Sequence, residues 1–164
     1  MLTGINVKPL NFNAVEVKRL SKIYSKGKTV ALEEVSVNLE AGKATGLLSP
    51  NGSGKTTLAR ILVGLLKPTS GRVEIGGKVL TSRQHISVPI GYVPQRLPGF
   101  PGLTGKDIIE FVLVTQGYWG KHVKKACENV VEKLSLQDIQ SKLIWNMSGG
   151  EARLTLIAAA IASR

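Results

Sequence analysis

Patterning along the 164 residues predicts an α/β protein with a helical insertion. Three observations carry that expectation. Short alternating strands come first. A short apolar run then enters a Gly-rich loop and a helix. A block of helices follows, and the last of them opens at Ser148-Gly149-Gly150-Glu151.

Residues 1–13 have no clear period and read as a lead-in. Val15 to Leu20 alternates, and Val35 to Leu39 alternates again, so both read as strands. Ala41-Gly42-Lys43 is a turn, and Ala44 to Leu48 reads as a buried strand ending at Ser49. A helix is expected from about Lys55 to Leu66, stopped by Pro68. Arg72 to Leu80 reads as a hairpin around Gly76-Gly77, and Ile90 to Val93 as another short strand. Beyond Gln95 a Pro/Gly loop (Pro98, Gly99, Pro101, Gly102) leads into two helices. In the second, Val123, Ala126, Cys127, Val130, Val131 and Leu134 share one face. No internal repeat or low-complexity tract is present.

Composition is that of a soluble globular domain, with 43% hydrophobic and 20% charged residues. The longest apolar run, Leu156 to Ala162, is too short to span a bilayer, and no signal peptide is expected from the first residues. A single cysteine, Cys127, fits a reducing compartment and reads as a small core hydrophobe. The net charge of +11 raises nucleic acid or anionic lipid as partners. Its densest patches are Lys18-Arg19-Lys22-Lys26-Lys28 and Lys121-Lys124-Lys125, with no nucleic-acid-binding pattern beside them. A solvated basic surface without nucleic acid is therefore the expectation.

The segment Ser49-Pro50-Asn51-Gly52-Ser53-Gly54-Lys55-Thr56 carries the strongest chemistry. A helix N-terminus has unpaired N–H groups and partial positive charge, which suits a phosphate. Gly52 and Gly54 let the backbone turn its N–H groups inward. Lys55 can reach the β- and γ-phosphates, and the Thr56 hydroxyl can serve Mg²⁺. The general pattern starts with Gly, where this chain has Ser49, so a strained or shifted first turn is expected. Ser148 and Glu151 form a capping box around two glycines, which leaves N–H groups bare at a second helix start.

Together these segments resemble the ATP-binding cassette (ABC) ATPases over about residues 15 to 164. Ser49 to Thr57 looks like the family's Walker A loop, and Met147-Ser148-Gly149-Gly150-Glu151 like its LSGGQ signature with Met for Leu and Glu for Gln. Gly91-Tyr92-Val93-Pro94-Gln95 looks like the Q-loop, and Tyr24 matches the aromatic that stacks on adenine. Leu65-Lys67-Pro68-Thr69-Ser70-Gly71 also matches the family's pattern.

The resemblance implies a P-loop NTPase core, an N-terminal antiparallel β-subdomain and a helical subdomain. It divides the chain into a lead-in at 1–13 and an incomplete nucleotide-binding domain at 14–164, with core about 14–96, helical subdomain about 97–147 and signature helix 148–164. ATP and Mg²⁺ are the implied cofactors. The implied nucleotide contacts are Tyr24, Asn51, Gly52, Ser53, Gly54, Lys55, Thr56, Thr57, Gln95, Ser148, Gly149 and Gly150, with Thr56 and Gln95 toward the metal. A head-to-tail dimer with a second nucleotide-binding domain is implied, docked on a transmembrane permease subunit at the cytoplasmic face of the membrane. The chain itself is expected to have no span.

The family's Walker B strand ends in Asp followed by Glu, the metal support and the base. The only aspartates here, Asp107 and Asp138, do neither job by position. His85 and His122 precede the signature, so neither matches the family's switch histidine. The C-terminal core strands are therefore expected to be absent, the match being truncated after the signature. No catalytic residue is assigned, and ATP hydrolysis by this chain is left open. The leading expectation is the nucleotide-binding subunit of an ABC transporter, which couples ATP to transport. The alternatives are a hydrolysis-deficient or regulatory nucleotide-binding remnant and a soluble ABC ATPase. The interval from Gln95 to Ser148 holds no heptads, which argues against the coiled-coil repair type.

Overall fold

The computed structural model describes residues 13–24, 29–80, 90–95 and 101–162. Expectations for the lead-in through Phe12, for Lys26, Lys28 and His85, for the Pro98-Gly99 turn and for the last two residues lie outside the described residues. What is described falls into two compact units, one within Lys8–Val88 and one within Pro89–Arg164.

The first unit is built on an antiparallel sheet in the order β2-β1-β3-β4. Its strands are β1 (Ala14–Tyr24), β2 (Thr29–Glu40), β3 (Ser70–Ile75) and β4 (Lys78–Leu80). β1 and β2 both outrun the alternating stretches that announce them. Alternation fails at a bulge, where φ is 46° at Arg19 and 44° at Glu34 and the pairing register shifts. Hydroxyls satisfy the displaced backbone groups. Ser36 Oγ accepts the Arg19 N–H at 3.0 Å, and Ser21 Oγ accepts the Glu34 N–H at 2.9 Å. Pairing then resumes and carries β1 on to Tyr24, opposite Thr29. The hairpin between β3 and β4 turns at Gly76-Gly77, as its spacing predicts.

The core of this unit joins Val17, Leu20, Leu32, Val73 and Ile75 of the sheet to Leu58 and Ile61. The last two come from α1 (Lys55–Leu62), which lies against β2. α1 ends four residues earlier than expected, and Pro68 is not what stops it. Gly64 adopts φ 72°. Its N–H donates to Ile61 O at 3.0 Å, while the Leu65 N–H donates to Arg60 O at 2.9 Å. These are the two bonds of a Schellman terminus.

Ala44 to Leu48 corrects the expectation of a buried strand. The run forms no strand, and Leu47 and Leu48 are 53% and 95% exposed. A parallel strand covered on both faces needs a ladder partner. Among the described residues nothing pairs with this run. The basic residues of β1 are largely paired: Lys18 bonds Glu16 and Glu74, each at 2.7 Å, and Arg19 bonds Glu34 at 2.9 Å.

The second unit is helical: α2 (Gly105–Thr115), α3 (Lys121–Lys133) and α4 (Gly149–Ile161), with a 3₁₀ turn at Ile144–Asn146. The α3 face expected from sequence is the one buried, through Val123, Cys127, Val130 and Val131. Burial pushes the Cys127 thiol up to about 11, so it packs as a hydrophobe. α4 packs chiefly on α2. Its small residues Ala152, Ala158 and Ala159 are buried, and so is Thr155, whose hydroxyl donates to Glu151 O at 3.0 Å. Ile90 to Val93 is irregular rather than a strand, since no neighbour pairs with it among the described residues.

Candidate functional site

The phosphate-type loop depends on two glycines with positive φ, 83° at Gly52 and 90° at Gly54. Gly54 is the N-cap of α1 and sits directly against β2, where a Cβ would overlap the Ala31 carbonyl oxygen. Glycine is therefore required there twice, by conformation and by space. No side chain caps α1, and its first turn carries no acidic residue. Its leading N–H groups are thus left to a ligand or to water.

Lys55 folds back over the loop. Its ammonium donates to Ser49 O at 2.6 Å, to Pro50 O at 2.7 Å and to Ser49 Oγ at 3.3 Å. Ser49 Oγ also bonds Ser53 Oγ. The strain expected at Ser49 is not found, because its φ is not positive and its hydroxyl joins the loop's own network. Thr56 is exposed at the start of the helix. Tyr24, the last residue of β1, reaches the same place: its hydroxyl lies 3.5 Å from Thr57 Oγ1. The Lys22 ammonium stands 5.2 Å from the ring centroid and donates to Lys67 O at 2.9 Å. The first unit thus gathers Tyr24 and the residues from Ser49 to Thr57.

The second unit gathers Gln95 with the start of α4. Ser148 Oγ accepts the Glu151 N–H at 3.2 Å, and Glu151 accepts the Ser148 N–H at 2.7 Å, completing the expected capping box. The Ser148 hydroxyl accepts in this bond, so its own proton can still be donated outward. A Cβ on Gly149 or Gly150 would meet nothing within 4 Å. The space over the helix start is open. Glu151 is further held by Lys142 Nζ at 2.8 Å. That ammonium and the two Ser148 bonds lower the Glu151 carboxyl to about 2.

Lys142 is placed by the backbone. Its carbonyl accepts the Gly105 N–H at 3.1 Å, and Gln140 O accepts the Lys106 N–H at 2.8 Å. Those two carbonyls cover the start of α2, which is also capped by Thr104 and Asp107. Asp107 accepts both the Thr104 N–H, at 2.8 Å, and the Thr104 hydroxyl, at 2.6 Å, and these bonds lower its carboxyl. Asp107 is a capping acid. Gln95 has an exposed side chain, and its backbone carbonyl accepts Arg153 Nη2 at 2.8 Å.

Sequence reasoning missed Lys142, Arg153 and the Ala31 carbonyl. Arg153 could have been questioned as a basic residue just inside the helix opened by Ser148. Lys142 and Ala31 carry no sequence signal, because backbone pairing alone brings them in.

A family model for the ABC transporter matches residues 32–164. The chain belongs to the ABC transporter family. Among its relatives is the glucose import ATP-binding protein GlcV of Saccharolobus solfataricus, 33% identical over 150 residues, which cover 88% of this chain and 42% of GlcV. The energy-coupling factor transporter ATP-binding protein EcfA1 of Mycoplasmopsis pulmonis is 34% identical, with coverage of 90% and 57%. The high-affinity zinc uptake system ATP-binding protein ZnuC of Bacillus subtilis is 31% identical, with coverage of 92% and 66%. The chain spans about half the length of the curated relatives it matches. Among solved structures, the dimeric bacterial ABC transporter cassette MJ0796 superposes with a TM-score of 0.78 at 26% identity, covering 91% of this chain and 69% of that one. The α/β architecture is therefore that of an ABC ATPase cassette, a P-loop NTPase fold.

Proposed function

We propose that this chain binds ATP with Mg²⁺ as the nucleotide-binding part of an ABC transporter. The observation that carries the reading is Gly54. It holds the start of α1 open, uncapped and pressed onto β2, with Lys55 folded over the loop. Asn51 to Gly54 would supply backbone N–H groups to the phosphates, Lys55 the β- and γ-phosphate charge, and Thr56 and Thr57 hydroxyls. The Tyr24 ring would stack on the base. Among the described residues no cluster of three His, Cys, Asp or Glu could hold a metal. Thr56 and Gln95 would each offer a side-chain oxygen to Mg²⁺.

Ser148, Gly149 and Gly150 would cover a nucleotide held by a second nucleotide-binding domain, head to tail. The bare helix start and the outward-free Ser148 proton support that role. The partner carrying the span would be a transmembrane permease, with this chain docked on its cytoplasmic side. Among the described residues no helix is long and apolar enough to cross a membrane. Relatives that are import and uptake ATP-binding proteins support this assignment.

Two observations favour binding without turnover by these 164 residues alone: Asp107 is committed to the cap of α2, and Asp138 follows no apolar run. The test is titration of a fluorescent ATP analogue into the purified chain with and without Mg²⁺, beside Lys55→Ala. The expected result is saturable binding that weakens at least about tenfold in the variant, the scale of one charge-assisted contact. Binding that ignores Lys55 would sink the reading. Phosphate release at the rate of a complete cassette would sink the restriction to binding.

A further inference from the structure

We infer that Arg153 is a positioning residue that seats the Gln95 turn on α4. The inference deepens the nucleotide reading and rests on it for the task of Gln95. One guanidinium donates to two successive carbonyls, Nη1 to Pro94 O at 2.7 Å and Nη2 to Gln95 O at 2.8 Å. Residues 90–95 belong to no helix or strand, so no ladder fixes them. The planar fork of arginine suits two acceptors at once, and its charge is permanent. Charge-assisted bonds of this kind are among the stronger ones available.

A second contact lies further along the same helix. Gly91 packs so closely on Ala160 that an added Cβ would stand 2.7 Å from the Ala160 carbonyl oxygen. The turn is therefore anchored to α4 at both ends, by Arg153 near the helix start and by Ala160 near its end. α4 is itself rigidly packed, with Ala152, Thr155, Ala158 and Ala159 buried. The backbone of Gln95 and the capping hydroxyl of Ser148 are thus both held by α4, while the Gln95 side chain stays exposed. Arg153 presets the backbone from which that side chain reaches toward a cation, and so lowers the ordering cost of binding it.

This predicts a split. Loss of Arg153 weakens the Mg²⁺ dependence of ATP binding and leaves Mg²⁺-free nucleotide affinity alone. The experiment uses the full 164-residue chain, as wild type, Arg153→Ala and Arg153→Lys. Amide hydrogen exchange over residues 90–95 is measured without nucleotide. Mg²⁺ is then titrated against a fluorescent ATP analogue, with EDTA as the metal-free reference. In Arg153→Ala we expect exchange about tenfold faster and an Mg²⁺ midpoint about tenfold higher, at unchanged affinity in EDTA. Arg153→Lys keeps the charge and the fold but reaches one carbonyl, so it falls between. Unchanged exchange in Arg153→Ala overturns the clamp, and full rescue by lysine overturns the two-carbonyl mechanism. Faster exchange with an unmoved Mg²⁺ midpoint overturns the positioning role. If the wild type binds no nucleotide, the parent reading and the Mg²⁺ role fall together, and the exchange arm still decides the clamp.

Discussion

Two helix starts in this molecule are built in opposite ways. α1 begins at a glycine, with no capping side chain and no acid in its first turn. α4 begins at Ser148, with a reciprocal box to Glu151 and a lysine bound to that acid. The approach to α1 is irregular and exposed, whereas the approach to α4 is tied to the start of α2 by backbone bonds. On the proposed function, a bare end and a finished end would each face an anion in a different way. The bare end offers its own N–H groups. The finished end offers a fixed hydroxyl and two glycines that keep the space clear.

Glycine substitutions break this comparison most sharply. Gly54→Ala must place a Cβ on the Ala31 carbonyl in a left-handed conformation, which costs ~2 kcal/mol or more. The expected outcome is a lowered thermal midpoint and lost ATP-analogue binding. Gly149→Ala opens a helix into empty space and is expected to leave the thermal midpoint unchanged or raise it. Comparable damage from both would erase the distinction between the two ends.

The cap itself is next in size. Ser148→Ala removes the acceptor for the Glu151 N–H and is expected to cost about 1 kcal/mol in denaturant unfolding. No such loss would mean that water replaces the hydroxyl fully.

Glu151 sharpens the comparison through pH. Its folded carboxyl lies at about 2, below the ordinary glutamate value, so its contribution is complete above the ordinary value. Stability should fall as pH drops from the ordinary carboxylate range toward 2. Glu151→Gln should flatten that part of the profile, and an identical slope in the variant would count against the Lys142 and Ser148 contacts.

Leu48→Ser should have the smallest effect. The side chain is 95% exposed, so unfolding free energy should move by no more than about 0.5 kcal/mol. A loss of several kcal/mol would show Leu48 buried in a strand after all.

Local chemistry was legible wherever neighbours in sequence supply it. The Ser148 box, the Gly76-Gly77 hairpin and the buried face of α3 all follow from short spacings. The apolar run Ala44 to Leu48 misled, because apolarity signals burial only when strands exist to pair with it. The pattern points to Pro68 as the end of α1, whereas Gly64 makes the terminating bonds, since two leucines beyond the glycine continue the helical spacing. The bulge at Arg19 hid the second half of β1 because a one-residue slip reverses the alternation.

By itself, the sequence determined which residues can make a phosphate loop and a capped helix start. Backbone geometry and short-range hydrogen bonds depend on residue type and spacing alone. Only the tertiary structure decided what supports them. Ala31 against Gly54 and Arg153 under the Gln95 turn join segments far apart in sequence, and Lys142 meets Glu151 across the turn that opens α4. Sheet pairing and helix packing set which groups meet there, and no local pattern encodes that.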